Sequence, residues 1–365
     1  HDLAEDILMI LAVLPILLFL GGLLLLDSYK LVRLPAVLLA IAAGGLAAGA
    51  TWWAGPPLLA LFGGDLTLYT RYGAPVVEEA AKATPLVLLM AAGRVGFMVD
   101  AAIYGFALGT GFAVVENAIY INALPDATPF VWVVRGFGTA TMHGGATAIC
   151  GIIAKTLEGR RGEAAAAAPA APDAAAANPA PARARGGAAA LAADFLPGLA
   201  AAVALHSVFN HFFFSPAVST LVILLVFPAL ISLVFVRSER ALRRWLGAGF
   251  DADTALLELI ESGEFPDSPM GRYLQALRAR FPGPVVADML CYIRLHVELW
   301  IRAKGLLMLR GMGLPAPEDP EIAAKFKEID FLVRSIGRTG RLALAPVLQA
   351  RSRDLWQIYM LDRKY

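Results

Sequence analysis

The chain has 365 residues, of which 58% are hydrophobic and 17% are charged. Soluble domains usually carry about a quarter charged residues and under half apolar ones, so this composition indicates a membrane protein. The formal net charge of +1 gives no reason to expect a nucleic-acid partner. Two cysteines, Cys150 and Cys291, lie far apart and fit neither a disulfide framework nor a zinc ribbon.

The predicted fold is all-α, beginning with a polytopic transmembrane helical bundle of about seven spans, since a spanning helix takes about 20 mostly apolar residues. Seven such stretches lie near residues 7–26, 34–53, 72–93, 97–121, 130–154, 190–214 and 217–236. The first six residues are polar and acidic, unlike the basic start of a secretory signal. Because the chain begins with His1 rather than Met, we expect either a processed or an artificially shortened fragment.

The Lys and Arg residues around these stretches predict the orientation, because cytoplasmic loops are enriched in them. With seven spans the basic loops all fall on one side, with Lys30, Arg33, Arg94, Lys155, Arg160, Arg161, Arg183, Arg185, Arg237, Arg240, Arg243 and Arg244. We therefore expect an integral protein of a bacterial cell membrane, with its N-terminus outside and its C-terminal domain in the cytoplasm.

Composition divides the chain into a membrane domain, residues 1–238, and a cytoplasmic helical domain, residues 239–365. An Ala/Pro-rich segment at about 160–188 has little to bury and is expected to be a disordered linker. In the second domain apolar residues recur at helical spacing between Pro and Gly breaks. His296 there is expected to be an ordinary helix residue, and the domain is a candidate for binding a partner or for dimerisation.

Ionisable residues inside spanning helices are costly and often mark function, and here they occur on four successive spans. The clusters are Glu78-Glu79-Ala80-Ala81-Lys82, Glu116-Asn117, His143-Gly144-Gly145, and His206 with Asn210 four residues on. At about 1.5 Å per residue, all four clusters fall in or near the outer half of the bilayer. The glycines expected to let these helices approach closely are Gly105, Gly109, Gly111, Gly144 and Gly145.

Two imidazoles and a carboxylate are sufficient to hold a catalytic zinc ion with one open position. We expect Glu116, His143 and His206 to be the ligands. Glu78 or Glu79 would then act as the base that takes a proton from water. Two side chains have predicted supporting roles, with Lys82 pairing with the carboxylates and Asn210 donating a hydrogen bond to the developing oxyanion.

The same residue types also suit other functions. A metal-free hydrolase would use a Glu to activate water between the histidines. A proton-coupled transporter or a non-enzymatic membrane binder would hold ionisable residues in its spans too, although the internal symmetry expected of a transporter is not visible in the sequence. A single His in a spanning helix often serves as an interhelical hydrogen-bond donor. Taken together, the four clusters favour an enzyme.

At these residues the chain resembles the PrsW family of intramembrane proteases, relatives of the CAAX prenyl protease and bacteriocin-processing superfamily. The family pattern has a Glu-Glu-x-x-Lys helix, a Phe-x-x-x-Glu helix, a lone His and a His-x-x-x-Asn/Asp helix. This chain has all four in order over residues 70–215, as Glu78-Glu79-x-x-Lys82, Phe112-x-x-x-Glu116, His143 and His206-x-x-x-Asn210. The resemblance implies hydrolysis of a peptide bond in a membrane-bound protein, such as an anti-sigma factor cut from the outer side during regulated intramembrane proteolysis.

Overall fold

The computed structural model describes residues 2–167, 182–315, 317, 319–345, 347–348 and 352–361, and every regular element among them is helical. The α-helices are α1 (Asp2–Leu26), α2 (Leu34–Leu61), α3 (Leu66–Leu68), α4 (Ala74–Ala91), α5 (Met98–Ala123), α6 (Pro129–Val133), α7 (Ala140–Ala167), α8 (Ala182–Asn210), α9 (Pro216–Glu261), α10 (Pro269–Leu277), α11 (Gly283–Gly311), α12 (Pro320–Leu344) and α13 (Ser352–Leu361). Two π-helical turns, Tyr69–Gly73 and Val134–Thr139, precede α4 and α7, and a 3-10 turn, Phe265–Asp267, precedes α10.

The chain divides into two compact units, His1–Ser238 and Glu239–Tyr365. Each unit has its own apolar core. Residues 168–181 of the predicted linker lie outside the described residues. The two ends of the predicted linker are helical, since α7 extends to Ala167 and α8 begins at Ala182.

Five helical segments are long and apolar enough to cross a membrane, counted over the described part of the chain: Ile7–Leu26, Leu34–Leu61, Met98–Ala123, Ala189–Asn210 and Pro216–Glu261. This finding supports an integral membrane protein. The other two predicted spans correspond to α4 and to the segment from α6 into α7. Charged and polar residues interrupt their apolar sequence, so the count of seven stays a prediction.

Helix α5 lies at the centre of the first unit and is buried without interruption from Val99 to Ala113. A helix that is apolar on all sides needs neighbours on all sides, and α5 packs against α1, α2, α4 and α7. Glycines make the closest of these contacts. A Cβ atom added to Gly109 would lie 2.4 Å from the carbonyl oxygen of His143, and one added to Gly111 would lie 1.8 Å from that of Ile41. The predicted role in close helix approach is confirmed for Gly109 and Gly111.

The second unit is helical around α11 and α12. Helix α12 begins at Pro320, and the Asp319 side chain caps it by accepting a hydrogen bond from the backbone N–H of Glu321. His296 contacts the carbonyl oxygen of Tyr292 through Nδ1 at 2.8 Å, and burial lowers the pKa of this imidazole. These contacts are those of an ordinary helix residue, as predicted.

The close approach of α2 to α5 gives a testable prediction. We expect Gly44→Ala to destabilise the protein by about 1–3 kcal/mol, because overpacking a tight helix contact forces the backbones apart. Its Cβ would lie 1.9 Å from the carbonyl oxygen of Leu108. Thermal unfolding of the detergent-solubilised protein measures the effect.

Gly49→Ala is the matched control on the same helix, since no atom lies within 4 Å of its added Cβ. This control is expected to be neutral or to stabilise α2, because Ala favours helix over Gly by about 1 kcal/mol. Equal unfolding midpoints for the two variants would contradict the packing described here.

Candidate functional site

Four helices bring the polar clusters of the first unit together. Helix α4 contributes the two glutamates and the lysine, α5 contributes Glu116, α7 contributes His143 and α8 contributes His206. Glu79, Lys82, His143 and His206 are each no more than 2% exposed. Glu78 and Glu116 are more open, with 18% and 19% of their side chains exposed. The structure therefore joins the predicted residues of all four spans in one buried site.

Lys82 and Glu79 form a buried ion pair in the interior of this site, with Nζ 2.6 Å from Oε1. The same Glu79 oxygen lies 2.8 Å from Nδ1 of His206. Its other oxygen accepts a hydrogen bond from Thr147 at 3.4 Å. Both oxygens of Glu79 are thus engaged. Lys82 pairs with the residue three positions before it rather than with Glu78, four before it.

The ion pair sets the proton positions on the two imidazoles. A carboxylate can only accept, so His206 donates from Nδ1 to Glu79, and a neutral His206 then has its lone pair on Nε2. An ammonium can only donate, so Lys82 donates to Nδ1 of His143 at 2.9 Å. The ring proton of a neutral His143 is then on Nε2, which donates to Oε2 of Glu116 at 3.1 Å. One histidine offers a lone pair to the site and the other offers a proton.

Glu78 stands at the open side of the site. Its Oε2 is buried, has no hydrogen-bond partner among the described residues, and lies 3.8 Å from Nε2 of His206. Glu78, His143 and His206 each offer one ligand atom within 4.8 Å of the others. A carboxylate with an unsatisfied buried oxygen beside two imidazoles is a donor set that suits zinc. These residues could therefore hold a metal ion.

Glu116, predicted as a ligand, lies on the His143 side of this cluster. Its Oε2 is also 3.2 Å from Nη2 of Arg135, in the π-helical turn before α7. None of the sequence motifs includes Arg135. A signal was available, because Arg135 is the one Arg or Lys within the predicted span 130–154, and such residues are costly in a membrane.

Asn210, predicted as an oxyanion donor, lies at the end of α8. Its side-chain amide donates to the carbonyl oxygen of Thr70 at 2.9 Å, and Ser207 donates to that of Arg71 at 2.7 Å. His211 adds a contact from Nε2 to the hydroxyl of Tyr72 at 3.0 Å. These three bonds attach α8 to the π-helical turn before α4, so Asn210 has a structural contact whatever its role in chemistry.

Comparison with known protein families identifies the family of the chain. The model of the PrsW family of intramembrane metalloproteases matches residues 31–236, more than half of the chain. The chain belongs to this family. Neither the curated proteins nor the solved structures that were searched gave a match. The matched range contains every residue of the site described above.

Membership of the PrsW family confirms the resemblance seen at the four motifs. The protein is accordingly an intramembrane protease, and its family is one of metalloproteases. The two imidazoles and the carboxylate that could hold a metal ion agree with that family description.

The attachment of α8 gives a second prediction, made with two matched variants. Asn210→Ala and Ser207→Ala each remove one side-chain hydrogen bond to the same π-helical turn. Each is expected to lower the free energy of unfolding by about 1 kcal/mol. If Asn210 also serves the oxyanion, its replacement should reduce the cleavage rate by a further factor of about 10²–10³. Unfolding midpoints and cleavage of a membrane-inserted reporter protein measure the two effects. Equal cleavage rates in the two variants would show that Asn210 only attaches α8 to the π-helical turn and does not serve the oxyanion.

Proposed function

We propose that this PrsW-family protease hydrolyses a peptide bond of a membrane-inserted protein in the outer half of the bilayer. The observation that supports this most directly is the buried cluster of Glu78, His143 and His206 with Glu116 beside it. A buried site that holds two imidazoles and two partly exposed carboxylates has the ligands and the base that a metal-dependent hydrolase requires.

Glu79 is poorly suited to be the base, although the sequence left it and Glu78 as equal candidates. Its oxygens are already bound to Lys82, His206 and Thr147. Accepting a proton would cost Glu79 the charge that holds Lys82 in a buried environment, where an unpaired charge is strongly disfavoured. We assign Glu79 and Lys82 the task of orienting the two imidazoles.

Glu78, His143 and His206 are the proposed metal ligands, since their ligand atoms form the compact set. A zinc ion held there would polarise the substrate carbonyl and make water a better nucleophile. A neutral His206 presents its lone pair at Nε2. His143 would bind through Nε2 as its other neutral tautomer, with the ring proton moved to Nδ1 and the hydrogen bond from Lys82 to Nδ1 given up, because a metal-binding ring nitrogen must be unprotonated.

Glu116 is then the proposed base. It would accept the proton of the attacking water and pass it to the amide nitrogen that departs from the substrate carbonyl. The water oxygen forms the new bond to carbon, and the carbon–nitrogen bond breaks. In a metal-free variant of the same geometry, Glu78 would receive the proton of a water that lies between the two histidines.

Two isosteric changes separate the ligand from the base. Glu78→Gln is expected to lower zinc affinity at least about tenfold, because it removes a ligand charge. Glu116→Gln is expected to keep zinc within about threefold and to slow cleavage by about 10²–10⁴. Metal analysis of the purified protein and a cleavage assay measure the two quantities.

The opposite pattern, with zinc lost in Glu116→Gln and kept in Glu78→Gln, would restore the assignment made from the sequence. No zinc in the unmodified protein, with cleavage intact, would establish the metal-free variant.

The substrate class is tested with single-span reporter proteins reconstituted with the full chain in liposomes. The reporters carry a tag at each end and differ in the outer half of the span, where Gly and Ser replace Leu in some. A helical backbone has its carbonyl groups engaged, so the relaxed spans should be cut fastest. Mass spectrometry of the fragments locates the cut. If no reporter is cut, the proposed function is wrong for membrane-spanning substrates.

The proposed orientation places the second unit in the cytoplasm. Cys291 in that unit is exposed and Cys150 in the first unit is buried, so a membrane-impermeant maleimide should report on Cys291. We expect labelling after cells are opened and none in intact cells. Cys291→Ser is the control. Labelling of Cys291 in intact cells would reverse the orientation.

A further inference from the structure

Arg135 is a charged side chain inside the first unit that no motif of the sequence assigns to the chemistry. Its side chain is 14% exposed. A guanidinium in a membrane segment is costly and is retained where it pairs or serves a function. Arg135 reaches the site from the π-helical turn Val134–Thr139, which leads directly into the helix that carries His143.

The π-helical turn explains why Arg135 and His143 serve the same site. In a regular α-helix two residues eight positions apart point about 80° away from each other, at about 100° per residue. A π-helical turn adds one residue to the turn and reduces that angle to about 20°. The local distortion thus places the guanidinium and the imidazole on one face, with Glu116 of α5 between them.

Three contacts fix the guanidinium group. Its Nε donates to Oδ1 of Asn117 at 2.8 Å, and Asn117 is itself held by donating to the carbonyl oxygen of Ala12 at 2.8 Å. The carbon at its centre lies 4.0 Å from the centroid of the Tyr120 ring. Its Nη2 lies 3.2 Å from Oε2 of Glu116, an ion pair without the geometry of a hydrogen bond. Asn117 holds the edge of the planar guanidinium and Tyr120 holds its face, so the orientation of the group beside the Glu116 carboxylate is fixed.

We propose that Arg135 is a positioning residue that holds the Glu116 carboxylate against His143 in the orientation needed for proton transfer. This inference rests on the function proposed above. His143 alone makes one contact to Glu116, about which the carboxylate can turn. The ion pair from Arg135 to the same oxygen attracts it from a second side, which keeps that oxygen beside His143, and supplies a compensating charge in a buried site.

The experiment compares Arg135→Gln and Arg135→Lys in the full chain, with the reporter that the unmodified protein cuts fastest. Arg135→Gln is expected to lower kcat about 10–100-fold, the usual effect of losing an orienting partner, while KM changes less than about threefold. Arg135→Lys should recover part of the loss, because lysine keeps the charge but lacks the planar group that meets Asn117 through Nε and Glu116 through Nη2. Zinc content should stay unchanged in both variants, which shows that the ligand site is folded.

Tyr120→Phe is the matched control, since it keeps the ring under the guanidinium and should cleave normally. A kcat in Arg135→Gln within about twofold of the unmodified protein would overturn the inference while leaving the protease proposal intact. Loss of zinc and lowered thermal stability in both Arg135 variants would show a structural role and overturn it too. Failure of the unmodified protein to cut any reporter would instead refute the proposed function, and this inference with it.

Discussion

The buried ion pair between Glu79 and Lys82 is the interaction on which the candidate site depends. Moving charges out of water costs on the order of several kcal/mol per ion, so such a pair persists only where further bonds satisfy its remaining atoms. His143, His206 and Thr147 make those bonds here. Because these partners lie on α7 and α8, the contacts that stabilise the ion pair also fix three helices relative to one another. The proton positions on both imidazoles follow from the same pair.

The polar contacts are short because the helices around them approach closely. At Gly109 of α5 the backbone of α7 lies where a side chain would otherwise stand, beside the carbonyl of His143. Two π-helical turns lead into the helices that carry Glu78 and His143, and such turns are frequent at functional sites. A site of this kind requires small residues and irregular turns at specific positions, in addition to its catalytic side chains.

The four carboxylate and ammonium groups divide into two classes by their bonding. Glu79 and Lys82 are bonded to each other and to the two imidazoles, so their role is to orient other groups. Glu78 retains an oxygen without a partner, and Glu116 meets His143 and Arg135 at the rim. Chemistry requires groups that can exchange partners during a reaction, and the partly exposed pair meets that requirement. This division supports Glu78 and Glu116 as the ligand and the base.

The sequence by itself determined the all-α class, the membrane location and the four clusters, because hydropathy and charge are local properties. It also determined the family, since the motifs follow one another along the chain. Only the tertiary structure decided that Lys82 pairs with Glu79, that Glu78 joins the two histidines, and that Arg135 reaches Glu116. Helical spacing shows which residues share a face of one helix. The rotation of each helix against its neighbours depends on packing between distant residues, and a π-helical turn shifts that rotation by one residue.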